Sequence, residues 1–195
     1  MGFWISYVAT TASEDRILDV LGLQIVDHET AMPDGKWWLA QLVETGWFVL
    51  WSEDVGFVDD SSSKLTELSK AGEVWGCAVG EGSNWAQAEY FEKGVSKWSI
   101  KWDGSKGVKE TSNLYLEGRV PAEIKAKLQD VLSKQEQNQS VDLIFDLPFN
   151  LASEDCGFRY DDFLEDEQID KFRIVSVAAK RPVGGFWSRL FGSRR

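Results

Sequence analysis

Histidine occurs once in this chain of 195 residues, as His28, and cysteine only twice, as Cys77 and Cys156. A single imidazole rules out a multi-histidine metal site and argues against a histidine-based catalytic triad. His28 sits between Asp27 and Glu29, as an acid–base residue would. In an alternating strand, however, those carboxylates point to the opposite face. Two distant cysteines read as reduced thiols, with one disulfide between them as the alternative. No apolar run approaches the roughly 18 residues of a membrane span. Glu14, Asp15 and Arg16 interrupt the N-terminus early, so no signal segment is expected and a cytoplasmic location is predicted.

Other missing features remove whole classes of site. Gly76, Gly80 and Gly82 stand in a strand–turn–strand context beside Glu81, with no helix following. A phosphate-binding loop is therefore excluded. No glycine lies between Asp161 and Asp170, and Phe163 and Leu164 interrupt the acids, so a calcium loop is not expected either. Cys156, next to Gly157 and near Arg159, invites a thiolate reading, but no base accompanies it and a packing role is expected. No metal and no cofactor are predicted.

What is present is acid and tryptophan. The formal net charge is −11; residues 180–195 hold five of the 21 basic residues and no acid, leaving 16 basic against 32 acidic residues in residues 1–179. A body this negative repels nucleic acid and anionic membranes and attracts a basic partner; solubility alone is the simpler use of the same charge. Ten tryptophans occur, eight of them between Trp37 and Trp102 in strand-like segments. Such rings build a dense core or present an aromatic surface.

The chain order points to α+β: a mainly antiparallel, tryptophan-rich sheet with packed helices. A single domain is expected over 1–179, with 1–80 and 81–179 as two conceivable halves, followed by a basic aromatic tail, 180–195. Strands are read at Gly2–Ala9, Leu23–Glu29, Trp37–Val43, Trp47–Trp51, Glu73–Gly80, Trp85–Glu92, Val95–Trp102, Asn113–Glu117, Val141–Phe145 and Phe172–Ala178. Helices are read from Ser13 to Gly22, from Ser61 to Gly72 and from Pro121 to about Gln135, with a short Pro148-led turn later. Residues 1–80 are taken as βαββαβ, the ferredoxin-like order. Trp47–Trp51 is apolar on both alternating faces and should be central. In Val95–Trp102, Trp98, Ile100 and Trp102 share one face while Lys97, Ser99 and Lys101 share the other. Ala12-Ser13-Glu14-Asp15 recurs as Ala152-Ser153-Glu154-Asp155, read as a repeated helix start rather than a duplication.

The densest acidic cluster is Asp161, Asp162, Glu165, Asp166, Glu167 and Asp170, interleaved with Phe158, Tyr160 and Phe163. Aromatic anchors beside steering charges are what a docking face needs; a solvated loop is the competing reading. Trp85, beside the Ser83-Asn84 turn, is added as a candidate contact. In the tail, Phe186, Trp187 and Phe191 could touch a partner, or fold back on the acidic body.

Trp75-Gly76-Cys77, Ser83-Asn84-Trp85 and Gly157-Phe158-Arg159-Tyr160-Asp161-Asp162 give the chain the style of a known class. It resembles the small acidic, aromatic-rich immunity proteins that bacteria keep beside polymorphic toxins. The resemblance implies a one-to-one complex in which acids cover the basic, substrate-binding face of a toxin; it transfers no individual residue role. The expectation is a non-catalytic, cytoplasmic protein-binding module with a basic partner. A small-molecule or peptide-binding domain with an aromatic cleft is the alternative, and a carboxylate-dependent enzyme comes third.

Overall fold

Segments apolar on both faces must be covered on both sides, and the chain meets this demand with one large sheet between two helical layers. A computed structural model describes residues 2–106, 113–137, 142–165 and 167–178. Among these the order is β1 (Trp4–Thr10), α1 (Glu14–Leu21), β2 (Leu23–Glu29), β3 (Trp38–Gln41), β4 (Phe48–Ser52), α2 (Phe57–Asp60) and α3 (Ser62–Leu68). There follow β5 (Val74–Gly80), β6 (Trp85–Glu92), β7 (Val95–Asp103), β8 (Leu114–Gly118), α4 (Ala122–Gln137), α5 (Leu147–Cys156) and β9 (Phe172–Val177). The nine strands form one sheet in the order β2-β9-β3-β4-β1-β5-β6-β7-β8. The α+β class is thus observed, and β4, every residue of which is buried, lies fourth in the sheet.

Local chemistry explains most boundaries. Gly22 takes a left-handed φ of 72° and ends α1, a conformation that glycine adopts without a Cβ penalty. Lys93 and Gly94, at φ 54° and 77°, make the tight β6–β7 turn, whose twist matches that of the strands. Helix α3 ends at Leu68 rather than at Gly72, because a turn over 69–72 intervenes before β5.

Three expectations fail. The βαββαβ order for residues 1–80 is not recovered. Residues 1–80 hold five strands rather than four, with β3 and β4 pairing as an additional hairpin, and β1 lies between β4 and β5. Strand β9 also inserts between β2 and β3, so residues from both conceivable halves share one sheet. The strand expected at 141–145 is absent over the described part, 142–145. There Asp142 Oδ1 accepts the N–H groups of Ile144 and Phe145 at 3.2 and 3.0 Å, a side-chain-directed turn that bends the backbone out of extension. The repeated tetrapeptide serves two different places: Ser13 stands at the N-cap of α1, while Ala152–Asp155 lies inside α5.

The two sheet faces carry different cores. Val8, Leu39, Leu50, Val74 and Phe91 face α1, α2 and α3 through Ile17, Leu21, Val58, Leu65 and Leu68. Tyr7, Trp38, Trp51, Trp75, Trp98 and Trp102 face α5, α4 and the segment after α5 through Phe149, Leu151, Phe158, Leu128 and Tyr160. Most of the tryptophans are therefore core, and two of them hold acids from the covering layer. Trp75 Nε1 donates to Asp155 at 3.0 Å and Trp102 Nε1 to Asp142 at 3.0 Å. No helix among the described residues is long and apolar enough to cross a membrane.

Candidate functional site

Where β1 begins and β4 ends, the tryptophan face runs out of cover and a cleft of ≈ 590 Å³ opens. Its lining comes from four separate stretches: Phe3 and Trp4; Met32, Pro33 and Asp34; Trp51 and Glu53; and Tyr160 to Phe163. The floor is aromatic, with Trp51 and Tyr160 buried. The Phe3 ring meets both edge-on, at centroid distances of 6.2 and 5.5 Å. Phe3, Trp4 and Phe163 stand exposed around it, Phe163 at 74%.

The charges of the lining are of one sign. Asp34, Glu53, Asp161 and Asp162 contribute carboxylates, and no lysine or arginine lines the cleft. Two of these acids are held from behind by Arg159. Its Nε donates to Asp161 Oδ1 at 2.8 Å and its backbone N–H to Asp162 Oδ2 at 2.6 Å. The Arg159 hydrogen bond keeps the Asp161 carboxyl below its usual range. The Tyr160 hydroxyl donates to Glu81 Oε1 at 3.1 Å. Burial, then Glu81, raises its phenol. Glu81 Oε2 in turn accepts the Phe3 N–H at 2.9 Å, which ties the first strand to this wall.

The structure divides the acidic cluster that the sequence presents as one. Asp161, Asp162 and Phe163 line the cleft, and Glu165 and Glu167 line an adjoining hollow of ≈ 340 Å³ that also borders Phe163. Asp170 instead braces the fold, since its carboxylate takes the Gln41 N–H at 2.9 Å and Arg173 Nη1 at 3.0 Å. Phe158 and Tyr160 are not surface anchors, since they are 0% and 4% exposed. Phe158 packs edge-on against Tyr7 and Trp38, because the chain re-enters the core after α5 to cover the tryptophan face. Trp85 is only half-buried but lies outside the cleft lining, with the Lys101 ammonium 5.1 Å over its ring. Asp166, Phe186, Trp187 and Phe191 lie outside the described residues.

Phe3, Trp4, Asp34 and Glu53 escaped sequence reasoning. They belong to a strand start, a turn and a strand end more than a hundred residues before Phe163, and only the sheet brings them together. Neither cysteine offers a nucleophile. Both are free and buried; burial raises Cys77 and pushes Cys156 up to about 12, so both are protonated thiols at neutral pH. His28 is exposed on β2, at the sheet edge. No group of three or more metal-ligating side chains forms among the described residues.

Comparison with protein-family models, with curated proteins and with solved structures finds no match. The reading of the cleft therefore rests on its own chemistry. Concave, mostly apolar walls with a few converging polar groups are the usual form of a binding site, and the charged groups here are all carboxylates.

Proposed function

We propose that this chain is a non-catalytic protein-binding module whose acidic cleft and neighbouring hollow dock a basic partner, in the manner of an immunity protein covering the basic face of a toxin. The observation that carries this reading is the lining itself: four carboxylates and three exposed aromatic rings around one concavity, with no cation among them. Electrostatic complementarity of this kind speeds encounter and selects partners, while exposed aromatics at a central depression supply anchoring area. The surrounding excess of acid extends the attraction over the whole body. A cytoplasmic setting fits the two free thiols and belongs to this proposal.

The test is co-purification of the full chain from its source cells, with the captured protein identified and re-examined as a purified pair. The expected result is a one-to-one complex with a basic protein that weakens steeply between about 0.1 and 1 M salt, as the screening length falls from about 10 to 3 Å. Phe163→Ala should weaken it further. A purified complex indifferent both to salt and to Phe163→Ala would sink acidic docking. The aromatic walls also favour a small-molecule or peptide ligand, and saturable binding of such a ligand without any protein partner is the result that would move the assignment there.

A further inference from the structure

We infer that the cleft is built to take a single inserted cationic side chain, a guanidinium or alkylammonium, clasped between Phe3, Phe163 and the carboxylates of Asp34 and Glu53. This inference rests on the docking proposal and names the chemistry at its centre.

The acids of the cleft are not equivalent. Asp161 and Asp162 are engaged by Arg159, so their charge is partly spent within the chain. Asp34 and Glu53 form no ion pair among the described residues, and both are exposed in the same lining. Free negative charge and the exposed Phe163 ring thus border the same cleft. In the same lining the Phe3 ring is fixed, wedged edge-on against Trp51 and Tyr160, and the residue's backbone N–H is tethered to Glu81. A cation over an aromatic face within about 6 Å is attracted by the ring, more strongly as water is excluded. An arginine adds planar stacking and a forked set of donors matched to carboxylates. The aliphatic stem of such a side chain is suited to the apolar surface of Met32 and Pro33 in the same lining. An acidic ligand would meet four carboxylates, two of which, Asp34 and Glu53, have no ion pair among the described residues.

The experiment uses the full-length protein and two short peptides identical except at one position, arginine in the first and its neutral isostere citrulline in the second. Binding is followed by tryptophan fluorescence, since Trp4 and Trp51 line the site, and by titration calorimetry. Saturable binding of the arginine peptide is expected, weakened about tenfold or more by citrulline. The double variant Asp34→Asn/Glu53→Gln should lose about tenfold, and Phe163→Ala a similar factor, consistent with cation–π attraction of roughly 1 kcal/mol or more. Asp15→Asn/Glu123→Gln removes the same charge at exposed positions outside the cleft lining and should change affinity less than twofold. Circular dichroism melts verify that each variant is folded. Equal binding of the two peptides, or equal losses in the near and remote charge variants, would overturn the inference. If the purified basic partner still binds in a salt-dependent way while the cleft variants leave its affinity unchanged, docking stands and the inserted side chain is refuted. Loss of both refutes both.

Discussion

The two faces of the sheet solve the same burial problem with different materials. On one, three short helices lay aliphatic side chains, Ile17, Leu21, Val58, Leu65 and Leu68, over Val8, Leu39, Leu50 and Val74. On the other, tryptophans are covered by α4, α5 and an irregular segment that returns to the core at Phe158, Tyr160 and Leu164. Aliphatic packing needs no polar partner, so the helical face can close completely. Each indole brings an N–H that seeks an acceptor: Asp155 and Asp142 answer Trp75 and Trp102, while Trp38 Nε1 is buried without one. Two acids are thus threaded into the covering layer. The cleft lies at the end of that tryptophan face, where acid and aromatic already mix. The lesson is that part of the chain's acidity is structural, and only the remainder is free to meet a partner.

The strongest way to break the tryptophan face is Trp102→Ala. The ring is fully buried, and its removal leaves both a large cavity and Asp142 Oδ2 with only one of its two donors, Asn84 Nδ2. A loss of about 3–5 kcal/mol is expected in urea unfolding. Trp102→Phe, which keeps most of the apolar area, should recover more than half of that. If the two variants were equally destabilised, the indole–carboxylate bond rather than packing would govern this face.

The helical face breaks in the opposite sense, by addition. A Cβ at Gly76 would stand 2.8 Å from Val58 Cγ1 and 3.1 Å from Leu65 Cδ1, so α2 and α3 sit directly on the backbone of β5. Gly76→Ala should cost about 1–3 kcal/mol through overpacking. Trimming the facing side chain in Gly76→Ala/Val58→Ala should cost less than the sum of the two single losses. Strict additivity of the two substitutions would show that the contact is not the cause.

How much of this was legible in the sequence follows the range of the interactions. The hairpin β6–β7 was readable because its period-2 alternation and the Lys93-Gly94 turn are local. So was the central place of β4, since Phe48 to Trp51 is apolar on both faces. The insertion of β9 between β2 and β3 was not, because a strand's neighbours depend on pairings over more than a hundred residues. The segment at 142–145 misled for a local reason: Asp142 captures two backbone N–H groups and overrides the β propensity of the residues around it. The acidic cluster was visible as composition. Which of its members are exposed depends on the re-entry at Phe158 and Tyr160, and alternation within the segment does not encode that. The cleft was half legible: Asp161, Asp162 and Phe163 stood out, whereas Phe3, Asp34 and Glu53 became partners only through the sheet.

The smallest effects sharpen the comparison through charge. Each face carries an arginine clamp. Arg173, with a side chain 6% exposed, pairs with Asp170 and Glu14 beside α1, and Arg159, 23% exposed, pairs with Asp161 and Asp146 beside the cleft. Burial alone would raise Asp170, but the hydrogen bonds from Arg173, Gln41 and Lys171 outweigh it and hold the carboxyl below its usual range. Asp161 is lowered by the hydrogen bond from Arg159. A carboxylate whose folded pKa is depressed contributes stability above its unfolded value, near 3.9, and loses it as pH falls through the folded value. Asp170→Asn should therefore cost about 1 kcal/mol at pH 7, and Asp161→Asn about 0.5 kcal/mol, both discounted for partial exposure. In each case the gap to the parent protein should shrink as pH drops below about 4. Urea unfolding of the parent and both variants at pH 7 and pH 3 measures this directly. The larger effect should fall on Asp170, because Arg173 has less water to turn to than Arg159. A reversed order would mean that the cleft clamp, not the helical one, carries the greater structural load, and that Asp161 is less available to a partner than its exposure suggests.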